Sequence, residues 1–317
     1  MSIEEKLFYG NNITVIKRDK NCTVYRMKDI TGDGTMTRYQ VFPGIDLMYN
    51  DFHMQSCFSE FRPKVEMIGI DHCREGRIEW EFPNGSYTYL QEGDLQINAK
   101  DHHAIGFGFP LSRYHGITVA LYVEEASETL STIFDGLSVD LNALRKKLCF
   151  DERPFIMRAE DSIQHIFSEL YTVPDKIRIN YFKIKVLELL LFLSVVDVPI
   201  NSRERPYFPK SQADTIKAIM KFMTDHIDKH FTLGELSSQF GISLTSMNTC
   251  FKSVYGTSIY AYMRSYRMQT AALMLRQTNE SILAIAGKVG YENSSKFAAA
   301  FKEVLDMPPL KYRKSLV

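Results

Sequence analysis

Short segments that alternate between apolar and polar positions run from the N-terminus to about residue 125, which is the pattern of half-buried β-strands. Clusters of glycine, proline and aspartate separate these segments, among which Glu66–Ile70 and Ile78–Phe82 are predicted as two separate strands. The clearest hairpin joins Ile78–Phe82 to Ser86–Leu90 through Pro83-Asn84-Gly85. Short strands at this spacing predict a sandwich or a small barrel, and a small barrel can hold one small ligand.

The pattern changes to helical spacing from about Glu124, with apolar positions three and four residues apart in Glu160–Leu170 and Asn180–Val196. The second predicted helix is apolar around much of its circumference. Its apolar positions form a stripe of Ile184, Leu187, Leu191 and Val195, widened by Val186, Leu189, Leu190 and Leu193. Such a helix is either deeply buried or paired with a second subunit, because both outcomes remove the same surface from water.

A polar stretch, Asn201–Lys210, contains Pro206 and Pro209 and predicts a linker between two domains. A length of 317 residues also favours two domains. The formal net charge is zero, but residues 210–317 carry 14 Lys and Arg against 8 Asp and Glu, whereas the first 209 residues carry 24 against 30. The basic half is therefore the one expected to bind a polyanion.

The rest of the composition favours a cytoplasmic protein. The five cysteines lack the close spacing of a zinc site or a redox pair, so we expect reduced and mostly buried thiols. The N-terminus has no basic stretch followed by an apolar one, and polar residues interrupt the longest apolar run, Val186–Val198. We therefore expect neither a secretory signal nor a membrane-spanning helix.

Two stretches of the basic half, Thr232–Gly256 and Ser281–Asp306, resemble each other about 50 residues apart. The matching positions are Leu236 with Ile285, Gly241 with Gly290, and Phe251-Lys252 with Phe301-Lys302. Each stretch fits a helix, a tight turn and a second helix, because glycine permits the left-handed conformation that ends a helix. Two helices joined in this way can place the second one in a major groove of DNA.

Capping signals mark where these helices begin. Thr232 and Glu235 form a capping-box pattern, and Ser243 in the first motif and Asn293 or Ser294 in the second are placed to cap the following helix. The predicted inward positions are Met247, Phe251, Val254, Phe297, Phe301 and Leu305. The predicted outward positions are Thr245, Asn248, Thr249 and Lys252 in the first motif, and Ser295, Lys296, Ala299 and Lys302 in the second.

Together with the helix between them, these motifs resemble the DNA-binding domain of AraC-type transcription regulators. The resemblance covers about a third of the chain, from about Ser211 to Ser315. It is carried by FTLGELSSQFGIS and CFKSVYGTS in the first motif, by YMRSYRMQTAALML in the connecting helix, and by ESILAIAGKVGYENSSKFAAAFKEVLDMPPLKYRK at the end. It implies a module whose two recognition helices enter successive major grooves of double-stranded DNA, roughly 34 Å apart.

Carried over position by position, the resemblance assigns base contacts to both recognition helices. In the first helix, the residues are Thr245, Ser246, Asn248 and Thr249. In the second, the residues able to contact bases or phosphate are Asn293, Ser295 and Lys296. The middle of the second helix is occupied by Ala298, Ala299 and Ala300. We therefore predict that the first motif carries most direct base recognition and that the second mostly anchors the protein.

Phosphate contacts are expected from Lys252, Lys302 and Arg267. The family also uses the arginine of the connecting helix to hold the two motifs together, so both roles stay open for Arg267. Lys311 and Arg313 follow the Pro308-Pro309 break and are equally consistent with simple solvated charge.

For an N-terminal part of this length, the family implies a cupin-like β-barrel followed by dimerising helices. Leu90–Ala104 resembles a barrel stretch in which a strand follows Gly-Asp, and Pro43–Phe52 and Cys73–Phe82 resemble siderophore-linked members. We therefore expect an α+β chain with four regions. These are a cupin-like sensing domain (1–123), a helical dimerisation region (124–200), a linker (201–210) and an all-α DNA-binding domain with two helix-turn-helix motifs (211–317).

The function implied is that of a bacterial, sequence-specific transcription regulator and, like most of the family, an activator that works with RNA polymerase. It would bind DNA as a homodimer and respond to an unknown small effector in the barrel. Control by a partner protein, or a cupin metalloenzyme fused to a DNA-binding module, are the alternatives. The HxH pair of enzymatic cupins is absent, because His102 and His103 are adjacent and point to opposite faces of any strand. We therefore expect no enzyme activity, no metal and no cofactor.

Overall fold

The computed structural model describes residues 13–58, 65–82, 85–99, 106–133, 139–149, 154–157, 161–196 and 208–315. The chain divides into two compact parts, of which the second begins at Phe208. These are called the N-terminal part and the C-terminal part below. Most of the linker predicted over 201–210, and the adjacent pair His102 and His103, lie outside the described residues.

Antiparallel strands and helices form the N-terminal part. The strands are β1 (Ile13–Arg18), β2 (Cys22–Asp29), β3 (Gly32–Phe42), β4 (Ile45–His53), β5 (Ser56–Phe58), β6 (Met67–Glu81), β7 (Ser86–Gln91), β8 (Leu95–Ala99), β9 (Gly106–Gly108), β10 (Tyr114–Tyr122) and β11 (Phe155–Met157). The described helices are α1 (Val123–Ile133), α2 (Leu141–Leu148), α3 (Asp161–Leu170) and α4 (Arg178–Val195). The predicted change from strands to helices near Glu124 is thus confirmed.

Strand β6 joins two sheets. Its first half pairs with β10 and β8, which continue a sheet of order β1-β2-β3-β4-β10-β6-β8-β11. Its second half pairs with β7 and β9 in a sheet of order β5-β9-β6-β7. The predicted hairpin is confirmed, because Ile78 lies opposite Leu90 and Trp80 lies opposite Thr88.

The prediction of two separate strands at Glu66–Ile70 and Ile78–Phe82 is wrong, because β6 is continuous between them. The intervening Asp71 and His72 are buried side chains inside the strand. Polar residues at buried positions interrupt the alternation of apolar and polar residues on which the prediction rests. The sequence pattern therefore suggests a break between two strands, although the strand is continuous.

Two apolar clusters stabilise this part. One lies between the first sheet and the helices, and the other is enclosed by residues of both sheets and includes Ile78 and Trp80. In the sequence, Trp80 alternates with Ile78 and Phe82, which predicts a position either in the core or in a pocket wall. Its place in this cluster makes it a core residue.

Helix α4 is buried along one face and partly exposed along another. Its buried face belongs to the first cluster and consists of Phe182, Val186, Leu189, Leu190 and Leu193. The opposite stripe remains partly open, since Ile184 is 62% and Val195 is 75% exposed.

The C-terminal part is built of helices after a two-residue extended segment, Phe208–Pro209. They are α5 (Lys210–Asp225), α6 (Leu233–Phe240), α7 (Leu244–Tyr255), α8 (Ile259–Gln277), α9 (Ile282–Lys288), α10 (Ser294–Leu305) and α11 (Pro309–Lys314). The predicted α+β fold class is confirmed. Within the ranges that the structure describes, no helix is both long and apolar enough to cross a membrane.

Candidate nucleic-acid interface

The first helix-turn-helix motif consists of α6, the turn at Gly241 and α7. A capping box fixes the start of α6: the Thr232 N–H donates to Glu235 Oε2 at 2.8 Å, and the Glu235 N–H donates to Thr232 Oγ1 at 3.2 Å. The hydrogen bond from the Thr232 backbone lowers the pKa of Glu235, and its side-chain hydroxyl adds to this. Gly241 ends the helix in the left-handed conformation at φ 63°. The local pattern therefore folds as predicted.

Helix α7 presents a polar face to solvent. Its buried side is Met247, Cys250, Phe251, Val254 and Tyr255. Its exposed side includes Thr245, Asn248, Thr249 and Lys252. These four side chains lie on one face, as predicted, because positions three and four apart in a helix are neighbours.

Ser246 differs from the other predicted base-contacting residues. Its side chain is half-buried, and its hydroxyl accepts a hydrogen bond from Ser243 Oγ at 2.9 Å. Ser243 in turn accepts from the Ser246 N–H at 3.1 Å and caps α7. Ser246 is therefore engaged at the start of the helix rather than displayed on its face.

The second motif repeats this construction with α9, the turn at Gly290 and α10. Asn293 caps α10, since its Oδ1 accepts from the Lys296 N–H at 3.0 Å. Of the two candidates for this cap, the structure selects Asn293 rather than Ser294. Because that oxygen is already used, Asn293 has only its amide N–H groups to offer to DNA.

The exposed face of α10 is short of hydrogen-bonding groups at its centre. Ser295, Lys296, Ala299 and Lys302 are exposed, as predicted. Ala300 is buried and Ala298 is half-buried, so these two alanines pack. Ala299 is thus the residue that occupies the middle of the exposed face, and its methyl group is limited to apolar contacts.

Arg267 of the connecting helix α8 faces inward. It is 7% exposed, and its Nε donates to the Ile227 carbonyl at 3.1 Å. Its terminal nitrogens donate to the Lys229 carbonyl and to the His230 ring, the latter at 2.9 Å from Nδ1. Burial lowers the pKa of the guanidinium. Of the two roles open for Arg267, the geometry fits holding the motifs together; the predicted phosphate contact would require breaking these bonds.

Two further contacts connect the second motif to the rest of the C-terminal part and were not predicted from sequence. Arg264 of α8 forms an ion pair with Glu303 of α10. His230, which follows α5, lies 2.7 Å from the Gly290 carbonyl through its Nε2. A lone histidine in a loop gives no local signal of such a role, because its partners lie 37 and 60 residues away.

Among the residues whose positions are described, no group of three or more His, Cys, Asp or Glu side chains lies close enough together to hold a metal ion.

Comparison with known proteins agrees with this geometry. A family model described as a helix-turn-helix domain matches residues 236–315. The multiple antibiotic resistance protein MarA of Escherichia coli (strain K12) is 33% identical over 103 residues, which cover 32% of this chain and 81% of MarA. The transcriptional regulator Rob of Salmonella typhimurium is 32% identical over 104 residues, or 36% of its length. This chain belongs to the AraC family of transcription regulators.

Among solved structures, this AraC-family chain is similar to ToxT of Vibrio cholerae with bound unsaturated fatty acid. That match has 12% identity and a TM-score of 0.32, and it covers 84% of this chain and 94% of ToxT. The DNA-binding domain of AdpA in complex with a target DNA matches 32% of this chain at 19% identity and a TM-score of 0.31.

Proposed function

We propose that this AraC-family regulator recognises its operator mainly through α7, and that α10 mostly anchors it to the DNA. The observation that carries the proposal is the exposed row of Thr245, Asn248, Thr249 and Lys252 on α7. Asparagine can pair with adenine through two hydrogen bonds, and threonine can contact a thymine methyl. Lys252 at the end of the row suits a phosphate.

The exposed face of the second recognition helix, α10, is better suited to anchoring than to base recognition. This face includes Ser295, Lys296 and Lys302, with Ala299 between them. Lysine contacts to phosphate position a protein on DNA without distinguishing sequences. We therefore propose phosphate contacts for Lys252 and Lys302. We propose base contacts for Asn293, Ser295 and Lys296 as well, but these should contribute less to sequence specificity than the contacts made by α7.

A substitution at Asn248 tests this proposal. An operator is first selected from random-sequence duplexes with the full chain. Asn248→Ala should weaken binding by about 1–3 kcal/mol and relax the preference at one base position. Asn279 is an exposed asparagine before α9, so Asn279→Ala is the matched control and should leave that preference unchanged. Unaltered base preference in Asn248→Ala would contradict the proposed register.

We further propose that the chain acts as a homodimer through α4. The supporting observation is the exposed part of its apolar stripe, at Ile184 and Val195. Sedimentation equilibrium should show a dimer for the native chain and a weaker one for Ile184→Asp. Ser194→Asp, on the same helix beside the stripe, is the control; equal dimer affinity in all three proteins would refute this interface.

The N-terminal part is proposed to sense a small effector between its two sheets. It retains hydrogen-bonded polar groups there: Asn50 donates to Thr118 at 2.9 Å, and Thr118 donates to Asp71 at 2.7 Å. Buried polar groups cost stability unless they are paired, so their presence in a β core favours a binding role. In this proposal the effector shifts a bacterial, cytoplasmic activator towards the form that recruits RNA polymerase. Thermal-shift screening with siderophores, sugars and small aromatics tests it, and an effector would raise the unfolding temperature.

A further inference from the structure

The segment between α5 and α6, residues 227–230, lies where the two motifs meet. Ile227 packs against the apolar cluster of the second motif, although it precedes the first motif in the chain. Arg267 of the connecting helix donates to the carbonyls of Ile227 and Lys229. The segment is therefore bound both to α8 and to the core of the second motif.

The turn of the second motif lies directly against this segment. Gly290 has φ 84°, and a Cβ atom placed on it would lie 2.9 Å from the Asp228 carbonyl oxygen. A separation below about 3 Å is not tolerated by real Cβ atoms, so the close approach of the two backbones requires glycine here.

His230 completes the connection. Its Nε2 lies 2.7 Å from the Gly290 carbonyl, which can only accept, so Nε2 carries the proton. Arg267 Nη1 lies 2.9 Å from Nδ1 and 3.2 Å from Nε2 of the same ring. The imidazole thus bridges α8 and the turn that leads into α10.

We infer that His230 is a positioning residue that fixes the distance and angle between α7 and α10, and with them the spacing of the two half-sites on DNA. The inference rests on the proposed binding through both motifs and adds a determinant of operator geometry to it. His230 and Arg267 also line a cavity of about 330 Å³ together with Asn248 of α7, so the bridge borders the proposed base-contacting face.

The test measures the spacing preference of the full chain. Binding is compared between the selected operator and the same operator with one base pair inserted between half-sites, which adds about 3.4 Å and a tenth of a turn. At pH 8 we expect the insertion to weaken native binding at least about fivefold, the lower end of typical coupling between sites. His230→Ala should lose most of this penalty, because its motifs can adjust independently.

Further variants supply a second measurement at the same pH. In His230→Gln the new side chain can still donate to the Gly290 carbonyl, so this variant should keep most of the native spacing penalty. His226 lies nearby but outside the bridge, and His226→Gln should keep all of the penalty. If His230→Ala does not fold, His230→Leu, whose side chain fills the space but cannot donate, takes its place and should lose the penalty.

The inference is overturned if His230→Ala retains the native spacing penalty, or if His230→Gln loses as much of it as His230→Ala does. If the native chain itself shows no spacing penalty at pH 8, both the inference and the proposed two-motif binding fail. A native penalty that His230→Ala leaves unchanged contradicts only the inference.

Discussion

The two helix-turn-helix motifs share a framework and differ on the surface they present. Phe251 and Phe301 are both fully buried, and Gly241 and Gly290 both adopt the left-handed conformation. On the exposed faces, the first motif has Asn248 among hydroxyl and lysine groups, whereas the second has Ala299 at the centre. Positions that determine how the helices pack are thus alike in the two motifs, whereas the centres of the exposed faces differ.

The residues that end the two recognition helices also differ between the motifs. Gly256 ends α7 at φ 80°, whereas its counterpart Asp306 ends α10 at φ 58°. A side chain in the left-handed region is disfavoured, and an acidic group near the C-terminal end of a helix opposes its dipole. The second motif therefore contains a strained position that the first lacks.

The largest expected effect comes from substituting the buried phenylalanines that the two motifs have in common. Phe251→Ala and Phe301→Ala should each lower the free energy of unfolding of the C-terminal part by about 3–5 kcal/mol, because each leaves a cavity in its core. Circular dichroism during chemical denaturation measures the loss. The fluorescence of Trp80, the single tryptophan, reports the N-terminal part and should change little in either variant. A loss below about 1 kcal/mol in one variant but not in the other would show that the two cores do not stabilise their motifs equally.

A smaller effect separates the two turns. Gly241→Ala should cost about 1 kcal/mol, since its φ is unfavourable but no atom lies within 4 Å of the added Cβ. Gly290→Ala should cost a further 1–2 kcal/mol or so, because its Cβ would also meet the Asp228 carbonyl. Denaturation of the two variants under the same conditions measures the difference. Equal costs would contradict the close approach at Gly290.

The smallest effect is a gain. Asp306→Gly should stabilise the C-terminal part by about 0.5–1 kcal/mol, since it relieves the left-handed strain that Gly256 avoids in the first motif. Asp306→Ala retains a Cβ and should bring little of this gain, which makes it the control. A more stable Asp306→Ala would attribute the effect to charge instead.

The sequence predicts the C-terminal part well because its signals are local. Thr232, Ser243 and Asn293 cap helices within three residues of themselves, and the buried and exposed faces of α7 follow helical spacing. The roles of His230 and Arg267 escape such reasoning, since they depend on partners far along the chain.

In the N-terminal part, the same kind of reasoning is less accurate for strands that are buried on both faces. Strand β4 begins with three consecutive buried residues, and β6 with seven, so neither alternates. Buried strands lose the period of two on which the prediction depends. The hairpin of β6 and β7 is found because its turn is marked by Pro83-Asn84-Gly85.

The central claim, unequal recognition by the two motifs, is tested most directly by substituting each base pair of both half-sites in turn and measuring binding of the native chain at fixed salt. We expect substitutions in the half-site of α7 to cost about 1–3 kcal/mol each and those in the half-site of α10 to cost less than about 1 kcal/mol. The position whose preference Asn248→Ala relaxes identifies the half-site of α7. Equal penalties in the two half-sites would contradict the account.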